Sequence, residues 1–288
     1  MQETEKPSVS LAEQSSSIGK AFGSVLNAGR EILNRRGVEQ SDEINSAKTL
    51  TIACKDLLEH RGEASGLALA SQISSALMSL DTEQRQLFFI DLAQEFHVDE
   101  AAVITASAEY QGAPTDENLA LIAKAIEPRR QKLFRRINTA PDGTASLVKI
   151  RGHLVELLAK FPEFKRIDTD LKHLFISWFN KGFLELRRID WESPASVLEK
   201  LIAYEAVHEI NGWDDLRGRL NTDRRCYAFF HPSMPNDPLV FVEIALTKGV
   251  ANDISEVLSA DRVLSNPTSA DTVVFYSISN CHPGLAGI

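Results

Sequence analysis

Positive charge, cysteine and long apolar runs are all scarce in this 288-residue chain. Lysines and arginines number 31 against 40 aspartates and glutamates, a formal net charge of −9. That balance lacks the positive footprint drawn to nucleic-acid phosphates and anionic membranes, so neither partner is expected. A phosphate-bearing ligand would need a local basic patch. The three cysteines, Cys54, Cys226 and Cys281, follow no metal-ligand spacing and are too few for a disulfide framework, which suits a reducing, cytoplasmic setting. No window reaches about eighteen uninterrupted apolar residues, and the first residues, MQETEKPSVSLAEQSSS, are acidic without a signal-peptide core. Neither secretion nor membrane spanning is expected.

What remains is 43% hydrophobic and 25% charged residues, over a length that suits two domains. Residues 1–17 are polar, serine-rich and expected to be disordered. From 18 to 180 apolar residues recur three and four apart, as in Leu57, Leu58, Leu67, Leu69, Ile73, Leu77 and Leu80. That period predicts an amphipathic helix bundle. Asp81 and Asp99 are placed to cap helices, Gly112-Ala113-Pro114 and Thr139-Ala140-Pro141-Asp142-Gly143 read as turns, and Asp168 or Thr169 would cap a later helix.

After Lys181-Gly182 the texture changes. Ser193-Pro194 opens a helix through Tyr204 that is expected to extend to His208, with Glu205 and Glu209 on a solvated face. Three short runs rich in β-branched and aromatic residues follow, Cys226 to Phe230, Leu239 to Leu246 and Thr272 to Ile278. They predict a mixed helix-and-strand domain over 181–288.

Several residues there are candidates for chemistry. The third run feeds Asn280-Cys281-His282-Pro283-Gly284-Leu285-Ala286-Gly287, where two glycines three apart either make an ordinary tight turn or let backbone N–H groups approach a ligand. His231-Pro232-Ser233-Met234-Pro235-Asn236-Asp237-Pro238 carries three prolines that would fix His231 and Ser233 in direction. His231 is either a proton-transfer group facing substrate or a ring that satisfies turn carbonyls. Arg224 and Arg225 either meet ligand phosphates or pair with Asp214, Asp215 or Asp223. Tyr204 and His208 make a poor metal site, since no third ligand accompanies them.

Three segments, YEAVHEINGW (204–213), DRRCYAFFHPSMPNDPLVFVEIALT (223–247) and TVVFYSISNCHPGLAGI (272–288), together resemble the malonyl-CoA decarboxylase family. Its members turn malonyl-CoA into acetyl-CoA and carbon dioxide. The resemblance implies a two-domain α+β chain: an all-α oligomerisation bundle, then an incomplete α/β domain like the acyl-CoA-binding core of the acetyltransferases. It implies that Gly284, Leu285, Ala286, Gly287 and Ile288 begin a loop that binds the CoA pyrophosphate through its main chain, with Ser233, Arg224 and Arg225 as further binding candidates. No cofactor is implied beyond the CoA thioester itself, which is the substrate, and a homo-oligomer formed through the bundle is expected. The family's catalytic serine lies in a Ser-Pro-Ile-Pro-Gly-like motif, with its proton-donating histidine further on. Neither motif occurs among these residues, which leaves His231 as the only catalytic candidate here and makes an inactive fragment the expectation for the chain alone.

Overall fold

The computed structural model describes residues 23–28, 44–59, 62–259 and 261–288, so the segment 1–17 expected to be disordered lies outside the described residues. The chain divides into two units between Leu147 and Val148.

The first unit holds α1 (Ala47–Glu59), α2 (Glu63–Ser79), α3 (Thr82–Glu95), α4 (Glu100–Gly112), α5 (Asp116–Ala125) and α6 (Arg129–Asn138). Helix α7 (Gly143–Leu157) runs through the point of division. Asp81 and Asp99 start α3 and α4, their carboxylates accepting from the N–H groups of Gln84 and Ala102. Each satisfies a donor that the first helical turn leaves without a partner. The apolar period does what it predicts: Leu50, Cys54 and Leu57 of α1, Ile73 and Leu77 of α2, Phe88, Phe89 and Leu92 of α3, and Leu133, Phe134 and Ile137 of α6 are buried. Each such side chain contributes about 1.5–3 kcal/mol by leaving water. Helix α5 departs from this pattern. It buries none of its residues, and Ile104, Leu119, Leu121 and Ile126 stand exposed along α4 and α5.

The second unit contains α8 (Lys165–Trp178), α9 (Ala195–Tyr204), α10 (Trp213–Arg219), α11 (Ile254–Leu258) and a sheet of β1 (Glu185–Ile189), β2 (Arg224–Phe230), β3 (Val240–Thr247) and β4 (Thr272–Asn280). The strands lie in the order β1-β2-β3-β4, antiparallel throughout. The register sets Ile189 opposite Cys226, Cys226 opposite Glu243 and Glu243 opposite Ser277, with an irregularity between Glu243 and Ile244. Alternation sends one set of side chains inward. Ile189, Cys226, Ala228, Phe230 and Phe241 pack with Val197, Leu198 and Leu201 of α9 and Leu216 of α10.

Three local expectations are overturned. Helix α8 begins at Lys165 after a 3-10 turn at Pro162–Phe164, so neither Asp168 nor Thr169 caps it. Asp168 is buried inside the helix because Arg151 holds it. Helix α9 ends at Tyr204 rather than extending to His208, since the Glu205 carboxylate captures the N–H groups of Val207 and His208. Glu205 itself is buried rather than solvated, drawn in by the hydroxyls of Ser277 and Ser279.

Candidate functional site

Strand β4 ends at Asn280, and the Cys281 N–H donates to the Leu239 carbonyl at 2.9 Å. The chain then closes a 3-10 turn over Pro283–Leu285. Leu285 N–H donates to the His282 carbonyl at 2.9 Å, Ala286 N–H to Pro283 at 3.1 Å and Ile288 N–H to Leu285 at 3.1 Å. The two glycines serve different ends. Gly284 lies on α7, where an added Cβ would sit 1.9 Å from the Val148 carbonyl oxygen, so no side chain fits. Gly287 has open space around it but a φ of +74°, which L side chains adopt only with strain.

Arg151 of α7 reaches this turn. Its side chain is 1% exposed and donates from Nε to Asp168 Oδ1 at 2.8 Å, from one terminal nitrogen to the Gly284 carbonyl, and from the other to the Ala286 carbonyl at 3.0 Å. Lys172, one turn along α8, completes the surroundings of Asp168 at 3.1 Å. The guanidinium fork meets one carboxylate and two carbonyls, which balances a charge that burial would otherwise penalise.

The proline-rich turn between β2 and β3 meets the same segment through Asp237. Ser233 N–H donates to His231 Nδ1 at 3.1 Å, and His231 Nε2 lies 3.1 Å from the Trp178 carbonyl. With Nδ1 an acceptor, the proton sits on Nε2 and donates to Trp178. Burial holds the ring below its ordinary pKa, and the Trp178 hydrogen bond opposes that. Both ring nitrogens are therefore committed to main chain, and the Ser233 side chain is exposed beside them. At the end of the same turn Asp237 pairs with Lys200 of α9 at 3.0 Å and lies 3.6 Å from His282 Nε2. The Tyr204 ring meets His282 edge-on at 5.6 Å. Burial pushes His282 down while Asp237 pulls it up. Neighbouring Cys281 is pushed up to about 12 by burial and remains a thiol.

A second polar group lies inside the sheet core. Glu243 of β3 is wholly buried, with Oε2 2.9 Å from Arg219 of α10, while Oε1 and the Tyr276 hydroxyl have no hydrogen bond among the described residues. Arg219 also holds Asp215 at 3.1 Å and donates to the carbonyls of His208 and Glu209. Burial outweighs the attraction of Arg219 and raises the Glu243 carboxyl to about 7. Glu205, by contrast, accepts from two hydroxyls and two main-chain N–H groups.

Of the residues singled out from sequence, Gly284 to Ile288 form one turn, and His231 and Ser233 form another. Arg224 is buried against Asp223 at 3.0 Å and donates to the Val257 carbonyl at 2.7 Å. Arg225 donates to the Thr222 and Arg224 carbonyls. Sequence reasoning missed Arg151, Asp168, Lys200, Asp237 and His282, whose partners lie far away along the chain. It also missed Glu243, although Phe241, Glu243 and Ala245 alternate onto one face. Among the described residues no cluster of metal-ligating side chains occurs, and no helix is long and apolar enough to cross a membrane.

Comparison with known proteins gives two family matches in order along the chain: "Malonyl-CoA decarboxylase N-terminal domain" over residues 96–179 and "Malonyl-CoA decarboxylase C-terminal domain" over 182–288. The mitochondrial malonyl-CoA decarboxylase of Anser anser anser is 34% identical over 211 residues, covering 68% of this chain and 42% of its own length. That of Rattus norvegicus is 34% identical over 224 residues, covering 72% and 45%. A crystal structure of malonyl-CoA decarboxylase from Rhodopseudomonas palustris matches with a TM-score of 0.82 at 47% identity, over 84% of this chain and 59% of that one. The Agrobacterium vitis structure gives 0.78 at 46% identity, over 83% and 58%. The chain thus spans less than half the length of these curated relatives.

Proposed function

This chain belongs to the malonyl-CoA decarboxylase family, and from that membership we propose that the protein it represents converts malonyl-CoA to acetyl-CoA and carbon dioxide. The observation that carries the reading is the Gly284–Gly287 turn at the end of β4, which needs glycine at both ends and is anchored from beneath by Arg151. In this reading the turn begins the site for the CoA pyrophosphate. The sheet that delivers it is the opening of an acyl-CoA-binding domain of acetyltransferase type, with its functional boundary near residue 180, where the two family matches meet.

The reaction breaks the bond between the carboxylate carbon and the α-carbon. The electron pair moves toward the thioester oxygen as CO2 leaves, and a proton then completes acetyl-CoA. Catalysis needs donors at that oxygen and an acid at the carbon, and the thioester serves as the electron sink. Arg224 and Arg225 are spent on Asp223 and main-chain carbonyls, which favours main-chain N–H groups over these guanidiniums as the phosphate donors. His231 contributes as turn structure, since both its nitrogens are engaged. Three free, buried cysteines support a cytoplasmic, reducing location.

Product analysis by mass spectrometry, with malonyl-CoA in the presence and absence of an amine acceptor, tests the proposal. Acetyl-CoA in both cases is expected. Malonyl transfer to the amine would favour an acyltransferase instead. Exposure of Ile104, Leu119, Leu121 and Ile126 supports self-association through the helical unit, with light scattering as the check.

A further inference from the structure

Arg151 is an expensive way to fill the space beneath a turn. A buried guanidinium loses its hydration and must recover it in hydrogen bonds, and a single carboxylate, Asp168, engages only its Nε. The remaining fork is spent on carbonyls two residues apart, those of Gly284 and Ala286. The missing Cβ of Gly284 is what lets the turn lie close enough to α7 for this contact, because the Val148 carbonyl occupies the place a side chain would take.

The peptide geometry then fixes what the turn presents. In a trans peptide the C=O and the following N–H point in opposite directions. Holding the carbonyls of Gly284 and Ala286 toward Arg151 therefore turns the N–H groups of Leu285 and Gly287 away from it. The Leu285 N–H is used within the turn, donating to the His282 carbonyl at 2.9 Å. The Gly287 N–H has no acceptor among the described residues, and the Ala286 ψ of 126° turns its peptide out of the 3-10 turn. A carbonyl bonded to a cation also polarises its peptide and strengthens the N–H at the other end.

We infer that Arg151, anchored by Asp168, is a positioning residue that holds the Gly284 and Ala286 carbonyls inward so that the Gly287 N–H is aimed at an anionic ligand. The inference rests on the reading of this turn as a CoA pyrophosphate site and deepens it, because it names the residue that organises donors without touching the ligand. It gives a role to a residue on α7, more than 100 positions before the turn.

The test compares CoA with pantetheine, which lacks the pyrophosphate, by calorimetric titration of the full chain at fixed ionic strength. Arg151→Lys keeps the charge but loses the fork, and Asp168→Asn keeps the fork but loosens its anchor. Arg151→Lys is expected to weaken CoA binding by about tenfold, the size of one weakened hydrogen bond to a charged group. Asp168→Asn should show a smaller loss of the same kind. Pantetheine binding should stay unchanged in both. Equal losses for both ligands would mean a general structural role and overturn the inference, as would undiminished preference for CoA in a variant that melts like wild type. Should Arg151→Lys fail to fold, Asp168→Asn is read by the same criteria. A wild-type chain that does not prefer CoA over pantetheine would instead overturn the pyrophosphate reading, and the inference with it.

Discussion

Glu243→Gln replaces a buried carboxyl with an uncharged group of the same shape, and the structure fixes both the size and the pH dependence of the result. Glu243 is 0% exposed, Arg219 engages one oxygen at 2.9 Å, and the other oxygen has no hydrogen bond among the described residues. Arg219 and Asp215 of α10, Glu205 at the end of α9, Cys226 of β2 and Tyr276 of β4 make up its charged and titratable surroundings. Of these, Arg219 attracts the charge, while Glu205 and Asp215 repel it. Burial and repulsion win, and the carboxyl rises from 4.5 to about 7. At about 1.36 kcal/mol per pH unit, this corresponds to about 3 kcal/mol of strain when Glu243 is ionised. The folded pKa lies above the unfolded one, so the folded state holds the extra proton. Its stabilisation is full below about pH 4.5 and is lost as the pH rises through about 7. Glutamine resembles the protonated form at every pH. The variant should therefore match wild type near pH 5 and exceed it by up to about 3 kcal/mol at pH 8.5. Urea unfolding followed by circular dichroism across that range measures the difference. A variant less stable than wild type at pH 8.5 by about 3–5 kcal/mol would show that the Arg219 ion pair dominates instead, the usual cost of removing one partner of a buried pair.

Other substitutions probe the turn and its neighbours. Gly284→Ala would place a Cβ against the Val148 carbonyl and should cost about 1–3 kcal/mol in denaturant melts. Gly287→Ala meets no atom but must hold φ at +74°, a penalty of about 1–2 kcal/mol; an undiminished stability in either variant would contradict the role given to that glycine. Glu205→Ala strips two serine hydroxyls and two N–H groups of their acceptor and should destabilise by about 2–4 kcal/mol. His231 followed by NMR should titrate below its usual pH because it is partly buried, and His231→Phe should alter stability while leaving the pH dependence of turnover in place.

Legibility followed the distance between partners. Asp81 and Asp99 were readable as caps because each bonds an N–H three residues on. Strands β2, β3 and β4 were readable from their branched and aromatic runs. Glu205 and Asp168 were misread because their partners, Ser277 and Arg151, lie 72 and 17 residues away. Local rules then assigned them to a solvated face and a cap. The glycine pair is legible as a unit, yet the reason for Gly284 lies in the backbone of α7, which no spacing within the turn reveals. Glu243 differs from these: it was missed although it shares the buried face of its strand with Phe241 and Ala245. The family resemblance implies a substrate class, which neither periodicity nor composition contains.

The reaction itself is tested most directly with malonyl-CoA carrying 13C in its free carboxylate, incubated with the whole protein and followed by 13C NMR. The label is expected to leave entirely as carbon dioxide and bicarbonate, with unlabelled acetyl-CoA formed in equal amount. Label that stays in a malonyl group, whether on CoA or transferred to an acceptor, would contradict it.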